Sequence, residues 1–446
     1  WAAAAAAAAA TIVVAVVLVV VSVAAADAVE GIDFPPMLDS DDIRYYSENY
    51  DLDGLHWALS NVFRRSARNP RREEIKFSQL PQSLVSKGGG STYTTKYKLQ
   101  MDLEQAQYLV EENKNLDTTK ASYLRDVVIP TYRKVLQRIP PLDELERTNG
   151  LYAFRPADIE EDGILEVYNK AIHLTDFDEL KDVNGKPIPL LNENFDSKAI
   201  EAKWFGLLEE EDERVVDDND ERDDDDDKLS RPGVVVMDDV LSPQALRRIR
   251  QLLLESQVFY QTKMPLKFGG YAGAYIDDGL HDRILLQLAF ELSKSLPNII
   301  GRQHPLKYLW AYRYDSEYTG ISTHADQAAV NVNIWLTPTD ASLDLDHGGL
   351  VVFTAKPSAG SDFAAYNTDV DRAIEEILKP TDFANVTVPF RYNRAVMFDS
   401  ALFHQTDTFK FKNGYKNRRI NLTILYGEMQ QQQQQQHQRQ NRNEEL

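Results

Sequence analysis

The 446-residue sequence predicts an α+β protein, and three features of it predict that class. Residues 30 to about 205 carry apolar positions at helical spacing, residues 209–227 form an acidic run, and the part beyond is a series of short β-branched and aromatic runs broken by Gly, Pro, Asn and Asp. The length suits two to three domains at ~150 residues each, with ample chain for a core. A formal charge of −21 argues against duplex nucleic acid as a partner, because phosphate binding needs clustered Lys and Arg. The sequence has no cysteine, so thiolate zinc sites, iron–sulfur clusters, cysteine nucleophiles and disulfides are excluded together; any metal must be held by His and carboxylates.

The elements follow in order. Residues 1–27 open with an uncharged stretch, long enough at ~1.5 Å per residue to cross a ~30 Å hydrocarbon core. It reads as an N-terminal transmembrane helix, with a signal segment as the rival because "VSVAAADA" spaces small residues as a peptidase requires. Residues 30–205 read as a helical domain. Amphipathic stretches such as "DLEQAQYLVEENKN" and "ASYLRDVVIPTYRKVLQRI" are separated by "SKGGGST" and "IPPLDE". No catalytic constellation is present there, His56 and His173 read as packed histidines, and no clean 34-residue repeat recurs; contact with protein partners is the expected use of this part.

Residues 206–231 read as an acidic linker, since 209–227 hold fourteen acids against two arginines, over half of the net charge. Residues 232–428 form the β part. "RPGVVVMDDVL" reads as a strand, and "SPQALRRIRQLLLES" as a helix capped by Ser242 with Pro243 in its first turn. "KYLWAYRY", "AAVNVNIWLT", "GGLVVF", "NVTVPF", "RAVMF" and "RRINLTILYG" read as antiparallel strands of a sandwich or barrel, interrupted by one helical insert, "DVDRAIEEILKP". Residues 429–446 are a Gln-rich tail of disordered type. Its ending, Asn-Glu-Glu-Leu, is a distant relative of an endoplasmic-reticulum retention signal, so the expected location is a single-pass protein of the secretory pathway with a lumenal catalytic domain.

Within "STHADQAAVNVNIW", His324 precedes Asp326 by two residues, a spacing that turns both side chains to one face of an extended chain. That is a two-ligand clamp for a metal, but a short motif needs its structural context.

The context comes from motifs in order. "YDSEYTGISTHAD", "LDHGGLVVF", "RAVMFDSALFHQT" and "RRINLTILYG" together resemble the iron(II)- and 2-oxoglutarate-dependent dioxygenases, nearest their prolyl-4-hydroxylase-like branch, over residues 234–428. The resemblance implies a double-stranded β-helix, or jelly roll, with His324, Asp326 and His404 as iron(II) ligands and Arg419 as the base that binds oxoglutarate. The His-to-His interval of 80 residues is long for the family, and the insert at 358–383 accounts for it. Two imidazoles and one carboxylate on one face of iron(II) leave three positions open. By the resemblance, oxoglutarate takes two of them and dioxygen the third. Its far carboxylate then needs a buried cation, and a guanidinium stays charged when desolvated.

If "RRINLTI" is a strand, Arg419, Asn421 and Thr423 share one face and Arg418 the other, where its charge is expected to stand in solvent. Tyr314 matches the family tyrosine that reaches oxoglutarate, though it stands one residue further from the histidine. Tyr312 and Trp310 share its strand face as pocket wall or core, and Asn331 and Asn333, if they point inward, touch substrate; His347 lies in a Gly-rich turn and is expected to be exposed. The expected activity is hydroxylation of a protein or peptide side chain, with proline implied by the resemblance, using iron(II), 2-oxoglutarate and dioxygen and supported by ascorbate. The alternative is a non-catalytic subunit of a membrane assembly that keeps the fold as a scaffold.

Overall fold

The structure is a computed structural model that describes residues 40–64 and 92–429, apart from 178–179, 182, 185, 187, 208–228, 357–365 and 367–369. The expected membrane helix, nearly all of the acidic linker and nearly all of the Gln-rich tail lie outside these residues. Among the described residues, no helix is long and apolar enough to cross a membrane.

The N-terminal helices form where apolar residues recur on one face. In Leu52–Arg64 the buried Leu55, Leu59 and Phe63 are four residues apart, and Lys96–Glu112 starts where the Thr95 side chain accepts from the Lys98 N–H at 3.2 Å. The stretch expected as one helix from 121 to 139 is three pieces: Thr118–Tyr123, a π-turn Leu124–Val128, and Ile129–Arg138. Pro130 explains the break, since its ring and missing N–H disturb the preceding turn. A two-stranded ribbon also appears in the part expected to be helical, β1 (Tyr93–Thr94) against β2 (Tyr152–Ala153), too short for a period of two to show in sequence, and the described residues of 168–196 hold no helix.

The β part has two antiparallel sheets. The large one runs β3 (Val234–Met237), β10 (Ala395–Asp399), β7 (Val330–Trp335), β12 (Ile420–Tyr426), β6 (Leu306–Tyr314), β5 (Tyr271–Tyr275), β4 (Gln261–Thr262). The small one runs β11 (His404–Thr406), β8 (Leu350–Phe353), β9 (Asn385–Val388), and a bridge between His324 and His404 adds the 324 segment beside β11. From β6 onward the chain visits large, small, large, small, small, large, small and large sheet in turn. That alternation is the winding of a double-stranded β-helix, as the sequence resemblance implies.

Strand alternation separates two environments. Val330, Val332, Ile334, Ile420, Leu422 and Ile424 face the helices, whereas Trp335, Val396, Phe398, Leu350 and Val352 pack between the sheets. The helix side is one continuous core: Leu55, Tyr97 and Met101 from the N-terminal part lie in the same apolar cluster as Leu252, Leu286, Met397 and Ile424. Helix Pro243–Glu255 forms as expected, with the Ser242 hydroxyl accepting from Ala245 N–H at 3.3 Å and Pro243 in the first turn. The insert forms a helical turn Val370–Ala373 continuing into Ile374–Leu378, and Ala373, Ile377 and Leu378 pack with Ala325 and Phe403, the neighbours of three candidate ligands.

Candidate metal centre

His324 and His404 are brought together by backbone. The His324 N–H donates to His404 O at 3.0 Å and the His404 N–H to His324 O at 2.8 Å, which sets the two rings 4.2 Å apart between centroids. Asp326 lies in the loop that follows, anchored by its N–H to Ser400 O at 3.2 Å. Its Oδ1 is 3.8 Å from His324 Nε2 and its Oδ2 is 3.5 Å from His404 Nε2. One ligand atom from each residue lies within 4.8 Å of the others.

The two tautomers follow from the partners of the other ring nitrogens. His324 Nδ1 is 2.9 Å from Ser322 O and His404 Nδ1 is 3.1 Å from Leu402 O. A carbonyl only accepts, so each Nδ1 carries a proton, and each Nε2 is the ring nitrogen that faces Asp326. Burial and the His404 ring hold the His324 imidazole down at about 4, which leaves it neutral at physiological pH. Burial pushes the Asp326 carboxyl up, but His404 and His324 outweigh it and hold the group below its usual value. Two imidazoles and one carboxylate suit a divalent first-row cation, and iron(II) fits that donor set. His404 is buried while the His324 side chain is 26% exposed, so the cluster is reached from the His324 side.

A second polar feature lies on the inner face of the large sheet. Arg419 is 2% exposed; its Nε donates to Gly348 O at 2.8 Å and its Nη2 to Gly349 O at 3.0 Å, while Nη1 has no partner. The guanidinium lies 4.5 Å from the centroid of the Tyr314 ring. Burial lowers the Arg419 pKa from its ordinary value, yet an arginine keeps its proton. A buried guanidinium with carbonyls on two nitrogens and no hydrogen-bond partner on the third can pair with a carboxylate. Gly349 lets the chain entering β8 lie close against β9, since a Cβ there would meet the Val388 carbonyl oxygen at 1.9 Å.

Above Arg419 the inner face stays polar. Asn421 Nδ2 donates to Asn333 Oδ1 and Thr423 Oγ1, both at 3.2 Å, and Asn333 Nδ2 donates to Thr423 Oγ1 at 3.1 Å. Tyr312 stands opposite Asn421 on β6, Trp310 opposite Thr423. Asn331 and Asn333 point inward, and Asn331 spends its amide on Asp326 Oδ2 at 2.7 Å.

Arg418 faces away from this wall, as alternation requires, but it is not a solvent charge. It is held by Glu104 at 2.7 Å and Asp315 at 2.8 Å with its side chain only 13% exposed, because helix Lys96–Glu112 covers that side of the sheet. His347 is exposed as expected, its Nδ1 3.0 Å from Asp407 Oδ2. His173 is half-buried, with its ring near Asn113 and Thr175. The carbonyls of Ser322, Leu402, Gly348 and Gly349 were not anticipated; backbone groups carry no residue-type signal, and only the Gly-Gly pair marked one of the two places.

No family model and no curated protein matches the sequence. Solved structures that it resembles include HygX from Streptomyces hygroscopicus with nickel and 2-oxoglutarate bound, at 14% identity and a TM-score of 0.32 over 44% of this chain and 83% of that one. Others are the non-heme α-ketoglutarate-dependent epimerase SnoN from nogalamycin biosynthesis (14%, 0.30, 44% and 78%) and a prolyl-4-hydroxylase from Pseudomonas putida (13%, 0.27, 44% and 92%). Likenesses of this size decide nothing about this chain, whose site stands on its own geometry.

Proposed function

We propose that this chain is an iron(II)- and 2-oxoglutarate-dependent oxygenase that hydroxylates a protein or peptide side chain, with prolyl residues the first substrate to try. The observation that carries the reading is the pairing, inside one double-stranded β-helix, of the convergent His324, Asp326 and His404 with the buried Arg419 whose Nη1 lacks a partner. His324, Asp326 and His404 would hold the metal. Bound iron(II) supplies the activation of dioxygen that couples decarboxylation of oxoglutarate to succinate with oxidation of an unactivated carbon.

The chain's own residues do the rest. Arg419 binds the far carboxylate of oxoglutarate through Nη1, and Tyr314 lies against the guanidinium and keeps water from it. Burial raises the Tyr314 pKa, with Arg419 acting the other way, so its hydroxyl stays neutral and can donate. Asn421 and Thr423 line the wall along the bound cosubstrate, and Tyr312, Asn333 and Trp310 shape the space beyond. Trp335 and Phe398 between the sheets exclude bulk water, which strengthens the charged contact. The purified chain, given iron(II), ascorbate and oxoglutarate, is expected to release succinate slowly without a substrate and faster with a proline-containing peptide it accepts. No succinate and no binding of oxoglutarate would give the lead to the scaffold alternative.

We also propose the location that the sequence suggests: an anchor in residues 2–26 with the β part in the lumen. Its support is the uncharged length of that segment and Asn385 in Asn-Val-Thr, which is exposed at the start of the edge strand β9. In sealed microsomes the β part should resist protease until detergent is added, the chain should stay in the membrane after carbonate washing, and Asn385→Gln should remove a glycan-dependent mobility shift. Digestion without detergent would place the β part on the other side.

A further inference from the structure

We infer that Asn331 is a positioning residue for the metal centre, holding the Asp326 carboxylate rather than contacting substrate. The inference rests on the reading of His324, Asp326 and His404 as metal ligands. Asn331 sits on β7, whose backbone is paired on both sides: opposite Asn331 stand Phe398 of β10 and Leu425 of β12. The residue is 0% exposed and flanked by these apolar side chains. A primary amide in such a place carries a desolvation cost that a hydrogen bond must offset. Its Nδ2 donates to Asp326 Oδ2 at 2.7 Å, across the join between the rigid sheet and the ligand loop, while its Oδ1 has no partner, so the Asp326 contact is the one that offsets the burial of the amide.

The geometry has a directional consequence. The Asp326 backbone is held by its N–H on the Ser400 carbonyl at 3.2 Å and by its own carbonyl, which accepts from the Ala328 N–H at 2.9 Å; neither bond sets the rotation of its carboxylate, which depends on what the side chain meets. With Oδ2 engaged by Asn331 and 3.5 Å from His404 Nε2, Oδ1 is turned to within 3.8 Å of His324 Nε2, so the carboxylate presents one oxygen to each imidazole. The third ligand is thereby aimed from a strand that cannot shift, while the loop that carries it is free of strand pairing. An outer partner of this kind sets ligand orientation and basicity, and losing one typically lowers metal affinity ~10–100-fold.

The test uses cobalt(II), a redox-stable stand-in for iron(II), on the full chain. In Asn331→Leu the dissociation constant for cobalt(II) should rise ~10–100-fold. The visible ligand-field bands of bound cobalt should shift, and the rise in melting temperature on adding cobalt should shrink while the metal-free melting temperature changes little. Asn331→Ala, which removes the amide without adding a charge, should show the same loss, and it decides the matter if the leucine variant does not fold. Equal cobalt affinity and an unchanged spectrum in a folded variant would overturn the inference alone. A wild-type chain that binds no cobalt would overturn the reading of the site beneath it.

Discussion

His404→Ala is expected to abolish tight iron(II) binding and to leave the jelly roll folded. The imidazole would be one of three ligands, its Nε2 aimed by a single Nδ1 contact to the Leu402 carbonyl, and when alanine removes it the Asp326 carboxylate keeps the Asn331 amide as a partner. The backbone bridge between residues 324 and 404 uses only N–H and C=O groups, so it survives the change. His324→Ala and Asp326→Ala should have the same effect on metal. Isothermal titration with iron(II) under anaerobic conditions measures it, with circular dichroism as the check on folding. Full iron affinity in His404→Ala would dissolve the proposed triad.

Arg419→Ala should weaken oxoglutarate binding by roughly a hundredfold or more, because losing the partner of a desolvated charge costs ~2–5 kcal/mol. Iron(II) affinity should change little, since Arg419 touches none of the three ligands. Its neighbour separates cosubstrate binding from stability. Arg418→Ala leaves Glu104 and Asp315 without their common cation, in a place between an exposed pair and a fully buried one, so it should cost on the order of 2 kcal/mol of stability. Oxoglutarate affinity in that variant should move by severalfold at most, since the side chain points away from the pocket. Oxoglutarate titration and denaturant melts on both variants give a crossed pattern: one loses the cosubstrate and the other loses stability. Damage to oxoglutarate binding in Arg418→Ala instead would place the strand register one residue off; no effect in either would remove oxoglutarate from the reading.

The register in that argument was legible from residues alone. In "RRINLTILYG" the apolar Ile420, Leu422 and Ile424 alternate with Arg419, Asn421 and Thr423, and a period of two permits only one assignment of faces when one face meets a core. The strands of the β part, the cap at Ser242 and the convergence of His324 with Asp326 were readable for the same reason, since each depends on neighbours a few positions away. The break at Pro130 was visible as a residue but not as a π-turn, because whether a helix stops or bulges at proline depends on what packs around it.

The order of residues carries the local part: which positions alternate, which can ligate a metal, which face of a strand is polar, and that no thiolate can take part. Packing over the whole chain settles the rest. It set the Asn331 amide on Asp326, closed Gly348 and Gly349 around Arg419, covered Arg418 with helix Lys96–Glu112, and joined the N-terminal helices to the β part in one core. Each of these contacts joins residues that strands and turns bring together in space, and several are made by backbone groups that every residue carries. Their partners are selected by packing and hydrogen-bond satisfaction over the whole chain, which no local pattern encodes.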